Sequence, residues 1–214
     1  MGSLILAMIL NIPRKGNTIF RTLFFLPSIT PAVATAILWP WILDPLVGPV
    51  NTVFKALGLG SPGWLTDPKL ALWSVVMISL WGSVGGARMM IFLAGLQGVP
   101  ESLYEAAELD GAGKWRKFLH VTLPMISPTM FFNLVLGVIG ALQVFAIAFV
   151  ATGGGPQWAT WFYALHLYRQ GFQYFRMGYA AALAWIFAVI LLCFTYVQIT
   201  LSRRWVYYEG EERG

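Results

Sequence analysis

From Leu123 to Thr152 the chain carries no Asp, Glu, Lys, Arg or His. That run exceeds the ~20 mostly apolar residues, rising about 1.5 Å each, with which a helix crosses a hydrocarbon core about 30 Å thick. Inside lipid every backbone N–H and C=O must be satisfied within the segment, which leaves a helix as the solution. Three further stretches behave alike. Thr22–Leu43 is uncharged but carries Pro27, Pro31 and Pro40, which predicts irregular first turns; Leu70–Leu96 is interrupted only by Arg88; Met177–Ser202 is uncharged up to Arg203-Arg204. Four transmembrane helices in one all-α, polytopic domain over residues 1–214 are expected. Composition agrees, with 58% hydrophobic and 11% charged residues where soluble domains hold about 25% charged ones.

Charge fixes the topology. Arg14, Lys15 and Arg21 precede the first span, Lys114, Arg116 and Lys117 separate the second and third, and Arg203, Arg204 and Arg213 follow the fourth. With four crossings these nine lie on one side, against Lys55, Lys69, Arg169 and Arg176 on the other. The positive-inside rule then puts both ends of the four-span region, and the loop 97–122, on the cytoplasmic side. The net charge of +5 is thus a matter of bilayer orientation and implies no nucleic-acid partner. Cys193 is the single cysteine, so neither a disulfide within the chain nor a cysteine-based metal site is expected.

Met1–Ile12 is apolar but too short to span, at about 18 Å as a helix, and it lacks the basic start and cleavage site of a signal peptide. It reads as the last half of another membrane helix, an N-terminal partial helix. Between Asp44 and Lys69, Val50, Phe54 and Leu57 recur at helical spacing, which predicts a short helix on the outer surface. After Gly153-Gly154-Gly155-Pro156, the stretch Thr160–Arg176 is dense in aromatics. It fits an interfacial belt, with contact to an extracytoplasmic partner as the other reading.

The loop 97–122 is the most informative stretch. Pro100 followed by Glu101 suits the first turn of a helix, where a missing N–H costs little and a carboxylate faces the positive dipole end. Asp110-Gly111 supplies a break, with Gly111 free to take positive φ, and Lys114–Val121 forms a second short helix running toward Leu123-Pro124. A helix–turn–helix projecting from the membrane is expected.

Glu105-Ala106-Ala107, then three residues to Gly111, then Leu123-Pro124 at the start of the next span, resembles the signature of the inner-membrane permease subunits of binding-protein-dependent ABC importers, in the branch that carries sugars. Phe24-Phe25-Leu26-Pro27, Ile91–Gln97, Thr152–Pro156, Gly178–Leu183 and the tail Arg203–Tyr208 are similar to that branch as well. The resemblance implies a type I ABC importer transmembrane domain. By it, Glu105, Ala106, Ala107, Asp110, Gly111, Leu123 and Pro124 form a coupling element seated on a cytoplasmic ATPase. It also implies as partners a second homologous permease, two such ATPases and an extracytoplasmic sugar-binding protein. No phosphate-binding Gly-x-x-x-x-Gly-Lys-Ser/Thr pattern occurs in the sequence, so ATP and Mg²⁺ are expected in the partner ATPase and no cofactor in this chain. Members of the family usually have six spans; for four spans plus the short Met1–Ile12 segment, a misplaced start or a truncated chain is expected ahead of a natural four-span form.

A sugar route needs aromatic faces and a few hydrogen-bonding groups set among small residues. On the second span Trp81, Gly85, Arg88 and Phe92 fall on one helical stripe. Burying Arg88 costs about 2.5–3.5 kcal/mol on insertion scales, so it either faces the route or snorkels to the headgroups beyond Gln97. On the third span Asn133, Gly137, Gly140 and Gln143 share an arc; packing suits Asn133 and the pathway suits Gln143. An enzyme embedded in the membrane is disfavoured, because Arg88 is the only ionisable group in the spans besides Cys193 and the tyrosines. A proton- or sodium-driven carrier is disfavoured because no span holds Asp or Glu. The same ABC machinery moving glycerol phosphate or another anion stays open through Arg88.

Overall fold

A computed structural model describes residues 1–13 and 15–207; Arg14, Tyr208 and Arg213, used above, lie outside them. The described residues contain helices and no strand. In chain order they are α1 (Gly2–Asn11), α2 (Asn17–Ile29), α3 (Ala32–Ile42), α4 (Pro49–Ala56), α5 (Pro68–Val84), α6 (Gly86–Gln97), α7 (Glu101–Leu109), α8 (Lys114–Lys117), α9 (Leu123–Met125), α10 (Ser127–Leu142), α11 (Tyr163–Tyr168) and α12 (Met177–Ser202). Wider π turns occupy Phe118–Thr122, Ala148–Thr152 and Arg169–Gln173.

Among the described residues, α12 alone is one helix long and apolar enough to cross a membrane. The pairs α2 with α3, α5 with α6, and the 114–125 segment with α10 pass the same test together, giving up to four spans if each bent pair counts as one. The sequence expects irregular first turns in Thr22–Leu43. Instead Pro27 stays inside α2, and the break falls at Thr30-Pro31. The reason is local: Pro31 takes φ −55° and ψ 137°, and a residue before proline is driven out of the helical region. The second break, at Gly85, has a packing cause. A Cβ there would collide with the Phe24 carbonyl, and Gly86 turns through φ +55°, open to glycine without strain.

Two compact units make up the chain: residues 1–27, 83–138 and 192–214, and residues 28–82 and 139–191. In the first, α1 lies along α6. Leu4, Ala7 and Leu10 recur every three residues and meet Met89, Phe92, Leu93, Leu96 and Ile126 in one apolar cluster. Polar side chains then close the end of α1, since Asn17 Nδ2 and Arg21 both donate to the Leu10 carbonyl, at 3.1 and 3.0 Å.

In the second unit α3 packs on the Ala148–Thr152 π turn, and Thr35, Ala36 and Ala148 are buried. Helix α4, expected from its spacing, is fastened by one residue that the spacing does not reveal. The fully buried Asn51 donates to the carbonyls of Leu43, Asp44 and Pro62 (3.3, 3.0 and 3.2 Å) and accepts the Trp64 indole N–H at 3.1 Å. Phe145, Phe149, Tyr168 and Phe172 form a ring cluster with centroids 5.0–5.4 Å apart. Of the aromatic stretch, Tyr168 and Phe172 join this cluster and Trp161 and Tyr163 pack on the rings of Trp158 and Phe187, while Tyr174, Phe175 and much of the Phe172 ring stay exposed.

Candidate functional site

The segment 101–122 folds as the helix–turn–helix that its sequence predicts. Helix α7 begins directly after Pro100 with Glu101 in its first turn. Its C-terminal carbonyls are closed by a reversal: Asp110 N–H reaches Ala106 O (3.1 Å), Gly111 N–H reaches Glu108 O (2.9 Å) and Ala112 N–H reaches Ala107 O (2.9 Å). That closure requires a left-handed residue just past the helix, and Gly111 supplies φ +74°. The return arm, α8 and the Phe118–Thr122 turn, is then tied to α7 at two levels. The Tyr104 hydroxyl lies 2.9 Å from Thr122 Oγ1. The Lys117 ammonium pairs with the Glu108 carboxylate and, by donating to it, holds the Glu108 carboxyl below its ordinary value.

What this fastened body presents outward is chemically simple. Glu105, Ala106, Asp110 and Gly111 are exposed and Ala107 is half-buried, so the face is small-residued and flanked by carboxylates. Leu109 is 91% and Trp115 70% exposed.

Leu123 and Pro124 stand in α9, where the loop joins the next helix. The path bends by 65° between the 114–125 segment and α10, at the fully buried Ile126. The Ser127 hydroxyl donates to the Pro124 carbonyl at 2.6 Å and accepts the Tyr207 N–H at 2.8 Å.

Of the pathway candidates, Arg88 and Asn133 belong to the first unit and Trp81 and Gln143 to the second. The Arg88 guanidinium contacts α10 in its middle, donating to the Leu136 carbonyl at 3.4 Å beside Gly137. It is thus engaged by α10, away from the Gln97 end of its own helix. Asn133 is buried; its amide donates to Thr129 O at 3.1 Å, and its Oδ1 has no partner. Trp81 stands edge-on to Trp39 with centroids 5.4 Å apart. The single stripe from Trp81 to Phe92 does not form, because Gly85 ends α5 and Phe92 is buried against α1. Gln143 lies in the turn just past α10, exposed, so the arc it shares with Asn133 on one helix is broken too.

Residues 1–207 match the family described as "Binding-protein-dependent transport system inner membrane component". The chain belongs to this family. Its members are inner-membrane components of transport systems, which accounts for the apolar helices. The chain is similar to the probable ABC transporter permease protein YesP of Bacillus subtilis (strain 168), 41% identical over 214 residues that make up 98% of this chain and 68% of that protein. It is also similar to the sn-glycerol-3-phosphate transport system permease protein UgpA of Yersinia pestis, 36% identical over 209 residues, 97% of this chain and 70% of that one. A solved bacterial ABC transporter involved in import of the acidic polysaccharide alginate superposes with a TM-score of 0.85 at 28% identity, covering 95% of this permease chain and 72% of that one.

Several residues of the site went unread in the sequence. Tyr104, Thr122 and the Glu108–Lys117 pair fasten the permease loop, yet each is an ordinary polar residue whose partner lies nine or more positions away. Trp39, whose buried indole N–H lacks a partner, becomes notable only through its contact with Trp81.

Proposed function

We propose that this chain is the permease subunit of an ATP-driven importer, passing a carbohydrate across the cytoplasmic membrane while the 101–122 body transmits force from a separate ATPase. The observation that carries this reading is the fastened helix–turn–helix with Glu105, Ala106, Asp110 and Gly111 outward, Ala107 half-buried beside them, and Leu109 and Trp115 uncovered. Leu123 and Pro124 make the junction through which the loop moves α10. ATP and Mg²⁺ belong to two cytoplasmic ATPases, a second homologous permease completes the route, and an extracytoplasmic binding protein delivers the solute. Residues 1–214 act as one domain, with spans near 22–43, 70–96, 123–152 and 177–202 and both ends of that region cytoplasmic. Of the residues assigned to the route, Arg88 and the unpaired Asn133 acceptor offer polar contacts within the first unit, and Trp81 an aromatic face and Gln143 an exposed amide within the second.

A second reading keeps the machinery and makes the solute anionic. Arg88 favours it, as the lone cation of the proposed spans, and so do similar proteins named for sn-glycerol-3-phosphate and for an acidic polysaccharide. Reconstitution of the four-subunit assembly in proteoliposomes with its binding protein tests both. ATP-dependent uptake of a neutral sugar supports the first reading, and uptake restricted to acidic sugars or sugar phosphates supports the second. Absence of any ATP-dependent uptake refutes the importer assignment.

A further inference from the structure

Three parts of the chain meet at the bend around Ile126. In a continuing helix the Pro124 carbonyl would receive the N–H of residue 128, but that residue is Pro128 and has none. The Ser127 hydroxyl, on a residue only 3% exposed, fills this role by donating to Pro124 O at 2.6 Å. The same oxygen accepts the N–H of Tyr207 at 2.8 Å. Around that pair Trp205 sets its ring edge-on to Phe131, centroids 6.3 Å apart, and Val206 is buried. Residues 203–207 therefore do not run on from α12 but return to the junction between the loop and α10.

We propose that Ser127 is a positioning residue for coupling: its hydroxyl locks the loop–α10 angle to the segment that follows α12, so that a pull on the loop is delivered to both helices. A side chain serving the bend alone would need only the Pro124 bond. The Tyr207 bond, with Trp205 and Val206 packed beside it, makes the bend and the returning segment one body. This inference rests on the reading of 101–122 as the coupling element.

The test is the ratio of solute imported to ATP hydrolysed in the reconstituted importer. Ser127→Ala removes both bonds and is expected to lower that ratio by up to about 30-fold, the equilibrium equivalent of two net hydrogen bonds, with ATPase association unchanged. Ser127→Thr keeps the hydroxyl and is expected to restore the ratio. Tyr207→Pro removes the donating N–H while leaving the Ser127 hydroxyl and its Pro124 bond in place, and is expected to lower the ratio in the same direction, which decides the matter if Ser127→Ala fails to insert. A wild-type ratio in Ser127→Ala or in Tyr207→Pro, or an equal loss in the Ala and Thr variants, overturns the proposal. A wild-type assembly that imports nothing overturns the importer reading instead, and that result precedes any comparison of variants.

Discussion

Gly111 offers a clean perturbation, because its backbone strain and its side-chain contacts separate. Nothing lies within 4 Å of where a Cβ would stand, so Gly111→Ala introduces no clash. What it does introduce is the cost of holding an L-residue at φ +74°, about 1–2 kcal/mol. If the ATPase binds only the closed turn, its apparent Kd rises as the competent fraction falls, up to about 5- to 30-fold. Asn visits the left-handed region more readily than Ala, so Gly111→Asn should fall between wild type and Ala. Gly111→Pro forces negative φ and deletes the N–H that bonds Glu108 O, and it should abolish association. The assay is titration of purified ATPase onto permease in membranes, with the amount of inserted protein measured alongside. Normal insertion with wild-type affinity in both Gly111→Ala and Gly111→Pro would refute the claim that the turn presents the docking face.

Arg88→Ala should change solute uptake without loss of protein from the membrane, since the side chain gives α10 a single long bond at 3.4 Å; unchanged uptake of neutral and anionic solutes alike would leave Arg88 as a helix anchor. The Glu108 carboxyl is depressed by Lys117, so its stabilising pairing is complete above the ordinary Glu range, near pH ~4.3, and is lost only as pH falls through the depressed value. Amide protection over 101–122 should thus hold from pH 7 to about pH 5 and drop in stronger acid, and in Glu108→Gln that acid step should vanish; a wild-type loss already between pH 7 and 6 contradicts the pairing. Gly95→Val would place a Cβ 2.6 Å from Thr129 Oγ1, overpacking α6 against α10 by about 1–3 kcal/mol. A lowered Tm in detergent, partly recovered by Thr129→Ala, is expected, and an unchanged Tm counts against that contact.

How much could be read from residue order depended on the range over which each feature is determined. The 101–122 turn was legible because its causes are local: a proline start, a left-handed glycine and a basic return arm lie within one short window. Helix α4 was legible from Val50, Phe54 and Leu57 for the same reason. The break at Gly85 was not, because Gly85-Gly86 looks like any small pair on a helix face until the Phe24 carbonyl is set against it. The end of α10 just before Gln143 was not legible either, because hydropathy records only that a run is apolar and is blind to a turn within it. Asn51 and Ser127 share a further difficulty: each is a single polar residue whose several bonds reach backbone far along the chain, and neither periodicity nor motif points to it.

Helix α12 has only 11% of its apolar window buried inside the chain. Intramolecular packing therefore says little about which of its residues are tolerated. Substitutions along it should register as altered lipid preference or altered recruitment of neighbouring subunits, and amphiphile choice during purification will govern how the isolated polypeptide behaves.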